Sequence, residues 1–323
     1  MKLQRFALSL AGAGLLAAAA ASAPAAASGQ ADPKPYFSER TARPLSAKAA
    51  IAATPCISAV GVPTAAGTMQ EIDATPPNRP PTPPTADIFE PFPYVGTRAD
   101  ATWYFATNAS QTQFYYYGLL LQGGNLYRHT TYLPTDEEKP PVPTFKKVGN
   151  GWTSFTSIAT SNYSVAQPRH AYLYGLNTNG SLYRYAIVGT GFKALGPLPG
   201  FGGFKAMTVI SETATYDTLL MVSKAGALWT AHIPVVAGAK PVMKLIRSSG
   251  FAAYESIVAQ GCGTRGGTLL VFADHNTQSA DQYAMSKANG TATAITKYGK
   301  IPATFNGVTH VSLTTHYDQL VGE

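Results

Sequence analysis

The acidic triplet Asp136, Glu137 and Glu138 is the first place to look for bond-breaking chemistry, because glycoside cleavage needs two carboxylates ~5 to 9 Å apart, one as general acid and one as its partner. The triplet runs straight into the proline-rich "EKPPVPTF", which predicts a solvated loop. Among the 17 acidic residues, no repeated set on strands emerges beyond Asp217 and Asp318. No G-x-S-x-G occurs, so the serine nucleophile of an α/β-hydrolase is not indicated. The six histidines, His129, His170, His232, His275, His310 and His316, show neither HxH nor HExxH spacing, and Asp274, Asn276 and Asp281 lack the spacing of a calcium loop. Neither a metal nor a cofactor is expected. What recurs instead is a glycine followed by an aromatic residue, as Gly151 and Trp152, Gly203 and Phe204, and Gly250 and Phe251. Flat rings beside flexible backbone suit packing or non-covalent recognition, not bond breaking.

Those pairs belong to a repeat. A hairpin signature reads "AAGTMQEI" from Ala65, "QGGNLYRH" from Gln122, "TNGSLYRY" from Thr178 and "KAGALWTA" from Lys224, with the turn glycines Gly67, Gly124, Gly180 and Gly226 at intervals of 57, 56 and 46 residues. A weaker copy, "TQSADQYAM" from Thr277, has lost its glycine. Downstream of each hairpin comes a second segment: "VGNGWTSFTSIAT" from Val148, "GFGGFKAMTVIS" from Gly200, "RSSGFAAYESIVA" from Arg247 and, faintly, "PATFNGVTHVSL" from Pro302. In the first unit Arg98 and Ala99 replace the Gly-aromatic pair, and Thr304 and Phe305 hold it degenerately in the last.

Each unit contains about four strand-sized apolar segments, and a period near 50 residues with four strands per unit is the signature of a propeller blade. The expected fold is all-β, a five-bladed β-propeller of four-stranded antiparallel blades. Blades are expected near 57–113, 114–170, 171–217, 218–266 and 267–323, each opening on its inner strand. The closing "YDQLVGE" from Tyr317 resembles "YDTLLMV" from Tyr216 and predicts one more inner strand at the seam with the first blade. Cys56 and Cys262 each precede an expected inner strand, in the first and fifth blades, which a closed ring makes neighbours. A disulfide between them is expected to staple the seam, worth up to roughly 5 kcal/mol for a loop of this length.

Outside the ring, Lys2 and Arg5 followed by "FALSLAGAGLLAAAAASAPAAA" predict an export signal over residues 1–27. No later segment reaches the ~20 apolar residues of a membrane span. Residues 28–55 read as a polar, then alanine-rich tether with one helical turn at 46–53. Loss of Lys2 and Arg5 lowers the formal charge from +7 to +5, too dilute over the chain for nucleic acid, which wants a dense basic face. A secreted protein with no membrane span and no nucleic-acid partner is expected.

Hairpins of the form G-x-L-[YW] followed by G-[WF]-x-x-[FYM]-x-x-[IV] resemble those of the tachylectin-type five-bladed propeller lectins and related bacterial FG-GAP-like repeat proteins. The resemblance covers about residues 57–318 and implies a multivalent, non-catalytic lectin for N-acetylated amino sugars such as N-acetylglucosamine or N-acetylgalactosamine, with sites between neighbouring blades. It places the ligand-contacting Gly-aromatic pairs on Gly151 and Trp152, Gly203 and Phe204, and Gly250 and Phe251. It also places Asp217 and Asp318 where the family opens its inner strand, a position that suits turn capping. A pyranose offers a C–H face to a ring and hydroxyls to planar polar groups, and its acetamido group wants a small apolar notch. Packing of blade on blade is the competing role for every repeated aromatic. An extracellular protein-binding scaffold, using the proline-rich loops, is the alternative function, and a glycoside hydrolase the more distant one.

Overall fold

The computed structural model describes residues 57–64, 66–74, 87–89, 96–108, 112–134, 139, 141–262, 267–307, 309–315 and 319–323. The expected export signal and tether, Cys56, the acidic triplet, the loop 75–85, His316 and Asp318 lie outside them. All regular structure among the described residues is strand.

The strands are β1 (Ser58–Pro63), β2 (Met69–Ala74), β3 (Asp87–Phe89), β4 (Thr97–Asp100), β5 (Trp103–Thr107), β6 (Phe114–Gln122), β7 (Asn125–Leu133), β8 (Val142–Asn150), β9 (Phe155–Tyr163), β10 (His170–Asn177) and β11 (Ser181–Val188). They continue as β12 (Gly191–Pro199), β13 (Phe204–Glu212), β14 (Tyr216–Ser223), β15 (Leu228–Pro234), β16 (Val242–Arg247), β17 (Ser256–Gly261), β18 (Thr268–Asp274), β19 (Ser279–Met285), β20 (Ile295–Lys300) and β21 (Val311–Thr315). Three four-stranded antiparallel sheets run β9 to β12, β13 to β16 and β17 to β20. A nine-stranded sheet has the order β3-β2-β1-β21-β5-β6-β7-β8, with β4 also on β6. Its two halves meet where β21 runs parallel to β5, Leu313 opposite Trp103.

Burial follows position in the sheet. The second strands β10, β14 and β18 are buried along almost their whole length and so read as continuous apolar runs such as "TLLMV" and "TLLVFA", the pattern of a strand covered on both faces. The fourth strands β8, β12, β16 and β20 are largely exposed. They carry Lys146, Lys147, Lys193, Lys244, Lys297 and Lys300, the charges that keep a free edge from pairing with another chain.

Five buried hydrophobic clusters join successive sheets among the described residues. One joins the β5–β8 half to β9–β12 around Leu121, Trp152 and Tyr185. The next join β9–β12 to β13–β16 around Tyr174, Phe201 and Met221, and β13–β16 to β17–β20 around Leu220, Phe251 and Phe272. A fourth joins β17–β20 to β1–β3 around Val271, Phe305 and Ile72, and a fifth joins that half to β5–β8 around Met69, Trp103 and Val311. The strands β4, β9, β13, β17, β21 and β5 pack on one another in succession, so these are the innermost.

The phase of the repeat therefore differs from the sequence reading. The segments expected to open each unit as inner strands are the second strands, and the innermost strand is the segment after the Gly-aromatic turn. The seam differs as well: β21 pairs antiparallel with β1, Val60 opposite Ser312, while the terminal "QLVGE" leaves the seam and lies against β13, with Val321 bridging Ser211. The stretch "VPTF" is strand β8, not loop.

Arg98 shows what replaced the missing Gly-aromatic pair. Its Nε donates to the Gly123 carbonyl of its own sheet at 2.8 Å, while Nη1 and Nη2 donate to Phe155 O at 2.8 Å and Trp152 O at 2.9 Å on the next sheet. A planar guanidinium spans three carbonyls as no ammonium does. Arg98→Lys is therefore expected to lose about 2 kcal/mol in urea unfolding, nearly as much as Arg98→Ala. A lysine variant as stable as the wild type would remove this role.

Candidate binding clefts between the sheets

The repeated turn has a fixed backbone geometry. The amide of Trp152 donates to Gly124 O at 2.9 Å, that of Phe201 to Gly180 O at 2.8 Å, that of Phe251 to Gly226 O at 3.0 Å and that of Phe305 to Gln278 O at 3.0 Å. Each ties the start of one sheet to a hairpin of the sheet before it. Gly151, Gly200 and Gly250 precede three of these aromatics with φ of +75°, +94° and +102°, a region side chains disfavour. The structural partner of Gly151–Trp152 is therefore Gly200–Phe201, not Gly203–Phe204. The segment "GFGGF" contains the pair twice, three residues apart, and the sequence alignment took the second copy. Phe204 is instead the equivalent of Phe155 and Tyr254, whose amides bond back to Trp152 and Phe251 as Phe204 does to Phe201.

The rings of Trp152 and Phe251 do not face solvent. They are 2% and 5% exposed, with Trp152 4.4 Å from Phe155 and 5.2 Å from Tyr185, and Phe251 5.0 Å from Phe272. Phe305 is fully buried. Their place in the interior corrects the expectation of sugar-stacking faces at Trp152 and Phe251: an aromatic recurring once per sheet fills the wedge between two sheets. Phe204 alone of the three expected contacts is only half-buried.

Asp217 is also placed differently from the capping role expected of it. It lies on β14 with no exposed surface and accepts from Ser161 Oγ at 2.6 Å, Tyr174 Oη at 2.8 Å and His170 Nε2 at 2.9 Å. The order is serine, carboxylate, imidazole. A serine nucleophile needs the imidazole in the middle, so this is a cross-sheet clamp and not a catalytic relay. Glu212 lies close enough to feel Asp217 and accepts from the Asn162 amide at 2.9 Å. Burial first, and the Asp217 charge second, push its carboxyl up to about 8. Two carboxyl groups thus do lie together, but both are buried.

A second repeated position decides what fills the groove between successive sheets. The residue ending each "xLYR"-type hairpin reaches to the next sheet: Arg128 Nη2 to Thr190 O at 3.0 Å, Arg184 Nη1 to Pro234 O at 2.6 Å and Gln282 Nε2 to Ala74 O at 2.8 Å. Beside Arg184, whose guanidinium lies 5.1 Å over the Tyr172 ring, the side chains of Tyr172, Tyr174 and Asp217 are all buried. Beside Arg128 the neighbours are smaller, Leu119 and Ala171 among them, and a cleft of about 40 Å³ remains. Tyr104, Tyr117, Ile187 and Phe192 wall it, with Thr160 and Asn162 at its inner end. Tyr104 and Tyr117 stack at 5.6 Å. The result is a small, mainly apolar slot with polar groups at its ends. Its residues come from strands the repeat made recognisable, but nothing in the sequence marked this one groove as open.

No protein-family profile matches the chain, and no curated protein matches it in sequence. Among solved structures, it is similar to SapL1 lectin in complex with alpha methyl fucoside, at 12% identity and a TM-score of 0.39 over 77% of this chain and 83% of that one. It is also similar to the WD40 domain of SCAP from fission yeast, at 9% identity and a TM-score of 0.33 over 79% and 73% of the two chains.

Two measurements test these assignments. Trp152→Ala is expected to cost ~3 to 5 kcal/mol of stability, as a buried large-to-small change does; an unchanged melting curve would return the ring to the surface. For Glu212 the folded state keeps a proton that the unfolded chain releases near its ordinary value of 4.5. Its contribution is therefore neutral below that value, and stability falls as the pH rises toward 8. Glu212→Gln is expected to match the wild type at pH 5 and to melt higher at pH 8. Asp100, which burial pushes up to about 7, leaves part of the slope in both proteins. Equal melting of the two at pH 8 would count against a protonated Glu212.

Proposed function

We propose that this chain is a secreted, non-catalytic carbohydrate-binding protein built as a closed propeller of five four-stranded blades, and that it binds N-acetylated amino sugars. The cleft beside Arg128 carries the reading. Its volume of about 40 Å³ suits the methyl end of an acetamido group, its walls are apolar and aromatic, and Thr160, Asn162 and Arg128 stand where the amide and hydroxyls of a sugar would need partners. The tachylectin-like hairpins and the predicted export signal support the same reading. Phe204 at a neighbouring turn is the remaining candidate among the repeated aromatics, with Gly203 beside it. Trp152 and Phe251, with Gly151 and Gly250, act as the packing layer behind such sites. A Cys56–Cys262 bond is part of the proposal: Cys262 directly follows β17, which packs against β1 and β21, and non-reducing peptide mapping reads it.

The test is titration with N-acetylglucosamine, N-acetylgalactosamine and glucose, with Ala171→Leu as the control that fills the slot. Binding near millimolar, ~4 kcal/mol, is expected for the acetylated sugars, because one ring face and a few hydrogen bonds compete with water. Glucose is expected to bind at least tenfold more weakly. Ala171→Leu should abolish binding while the melting temperature stays within a few degrees of wild type. No binding of either amino sugar by the intact protein would end this reading and leave the protein-binding scaffold in its place.

A further inference from the structure

The groove between β13–β16 and β17–β20 is built on the same plan as the others, yet its own side chains do not fill it. Where the two preceding hairpins carry Arg128 and Arg184, this sheet carries Thr230, opposite Leu220 on β14. Where the sheet before it carries Tyr172, it carries Thr218. The space is taken by the chain itself. Gln319 Nε2 donates to the Asn162 carbonyl on β9 at 3.1 Å, and from there the chain crosses into the groove, pairing with β13 through Glu212 N to Leu320 O at 2.9 Å and Gly322 N to Ile210 O at 2.8 Å. On the far side Ala288 N donates to Gly322 O at 2.6 Å, so the segment is bonded to both sheets.

Three side-chain features make this a site with a sequence preference. Leu320 packs against the core around Tyr174 and Met221. Gly322 sits where a Cβ would lie 2.5 Å from Thr268 Oγ1 and 2.6 Å from the Ile210 carbonyl, so only glycine fits. The Glu323 carboxylate accepts from His232 Nδ1 at 2.7 Å, pairs with Lys244 Nζ at 3.6 Å and is bonded by the Thr218 hydroxyl. Val321 between them points outward and is 37% exposed. An apolar residue, a tolerant position, an obligatory glycine and an acid, on a backbone held as an added strand, make a peptide-recognition mode.

We propose that this groove is a binding site for an extended acidic peptide of the form apolar-x-Gly-Glu, and that residues 319–323 are its resident, exchangeable occupant. A partner protein bearing such a segment would bind here by displacing them. At its start the segment touches a residue that lines the sugar cleft, Asn162, while its recognition groups, Gly322 and Glu323, lie against Thr268, Thr218, His232 and Lys244.

The experiment uses the full chain carrying Gly322→Ala, which should eject the resident segment, and a fluorescein-labelled peptide YDQLVGE. Hydrogen exchange at residues 319–323 should be slow in the wild type and fast in the variant. The peptide should bind the variant and not the wild type, and peptides ending VAE or VGQ should bind at least tenfold more weakly. Peptide binding is read by fluorescence with no sugar present, so failure of the sugar reading leaves this one standing. Unchanged exchange in Gly322→Ala, or a folded, released variant that takes no peptide, would overturn the proposal, as would equal peptide binding by both proteins. Glu323→Ala, which removes only the contacts at the rim, is read in the same way if Gly322→Ala does not fold.

Discussion

One backbone hydrogen bond recurs through this protein and fixes the distance between its sheets: the amide of Trp152, Phe201, Phe251 or Phe305 bonded to the carbonyl of a hairpin turn in the sheet before it. The carbonyl is aimed correctly only when the turn closes tightly, and this explains the positive φ of Gly180 and Gly226. Where the glycine is gone, Gln278 adopts φ +50° and makes the same bond. The aromatic side chain then falls into the wedge between two sheets, and burial of that ring reinforces the bond that placed it. Removing either element is expected to loosen the other.

This coupling explains how much could be read from residues alone. The all-β class and the four-segment unit followed from spacing, since a strand covered on both faces leaves an uninterrupted apolar run, while the role of the aromatics stayed open between packing and sugar contact. The phase of the unit did not follow. A repeat has no intrinsic beginning, and the strand that starts a hairpin in sequence is the second strand in space. "GFGGF" misled for a related reason: two Gly-Phe pairs satisfy one pattern, and only the amide partner of Phe201 separates them. The seam was misplaced because "YDQLVGE" imitates "YDTLLMV" in composition, while Gly322 and Glu323 suit a groove and not a buried strand.

The buried polar groups show a different constraint. Asp217, Glu212, Ser161, His170 and Tyr174 come from two sheets and are close only because those sheets are neighbours. No linear spacing announces them. Burial shapes their chemistry: Asp217, receiving three hydrogen bonds, holds sheets together at the cost of desolvation, and burial pushes the Glu212 carboxyl beside it up to about 8. Groups that look catalytic in a list are here a clamp, because the carboxylate and not the imidazole stands in the middle and Asp217 has no exposed surface.

The grooves are where equivalent positions were free to diverge. The turn bond and the wedge aromatic already hold adjacent sheets at the right separation, so the groove outside them can be filled in more than one way without unfolding the chain. Tyrosines and an arginine fill one, an arginine leaves a small slot in another, and a threonine leaves room for the last residues, Gly322 and Glu323, in a third. The volume left over depends on one or two side chains per sheet, while the frame that defines it depends on backbone bonds common to several sheets. The open volume of a groove in this architecture is therefore set by what is missing from it, whether at the end of a hairpin, as at Thr230, or on the facing strands, as at Leu119 and Ala171.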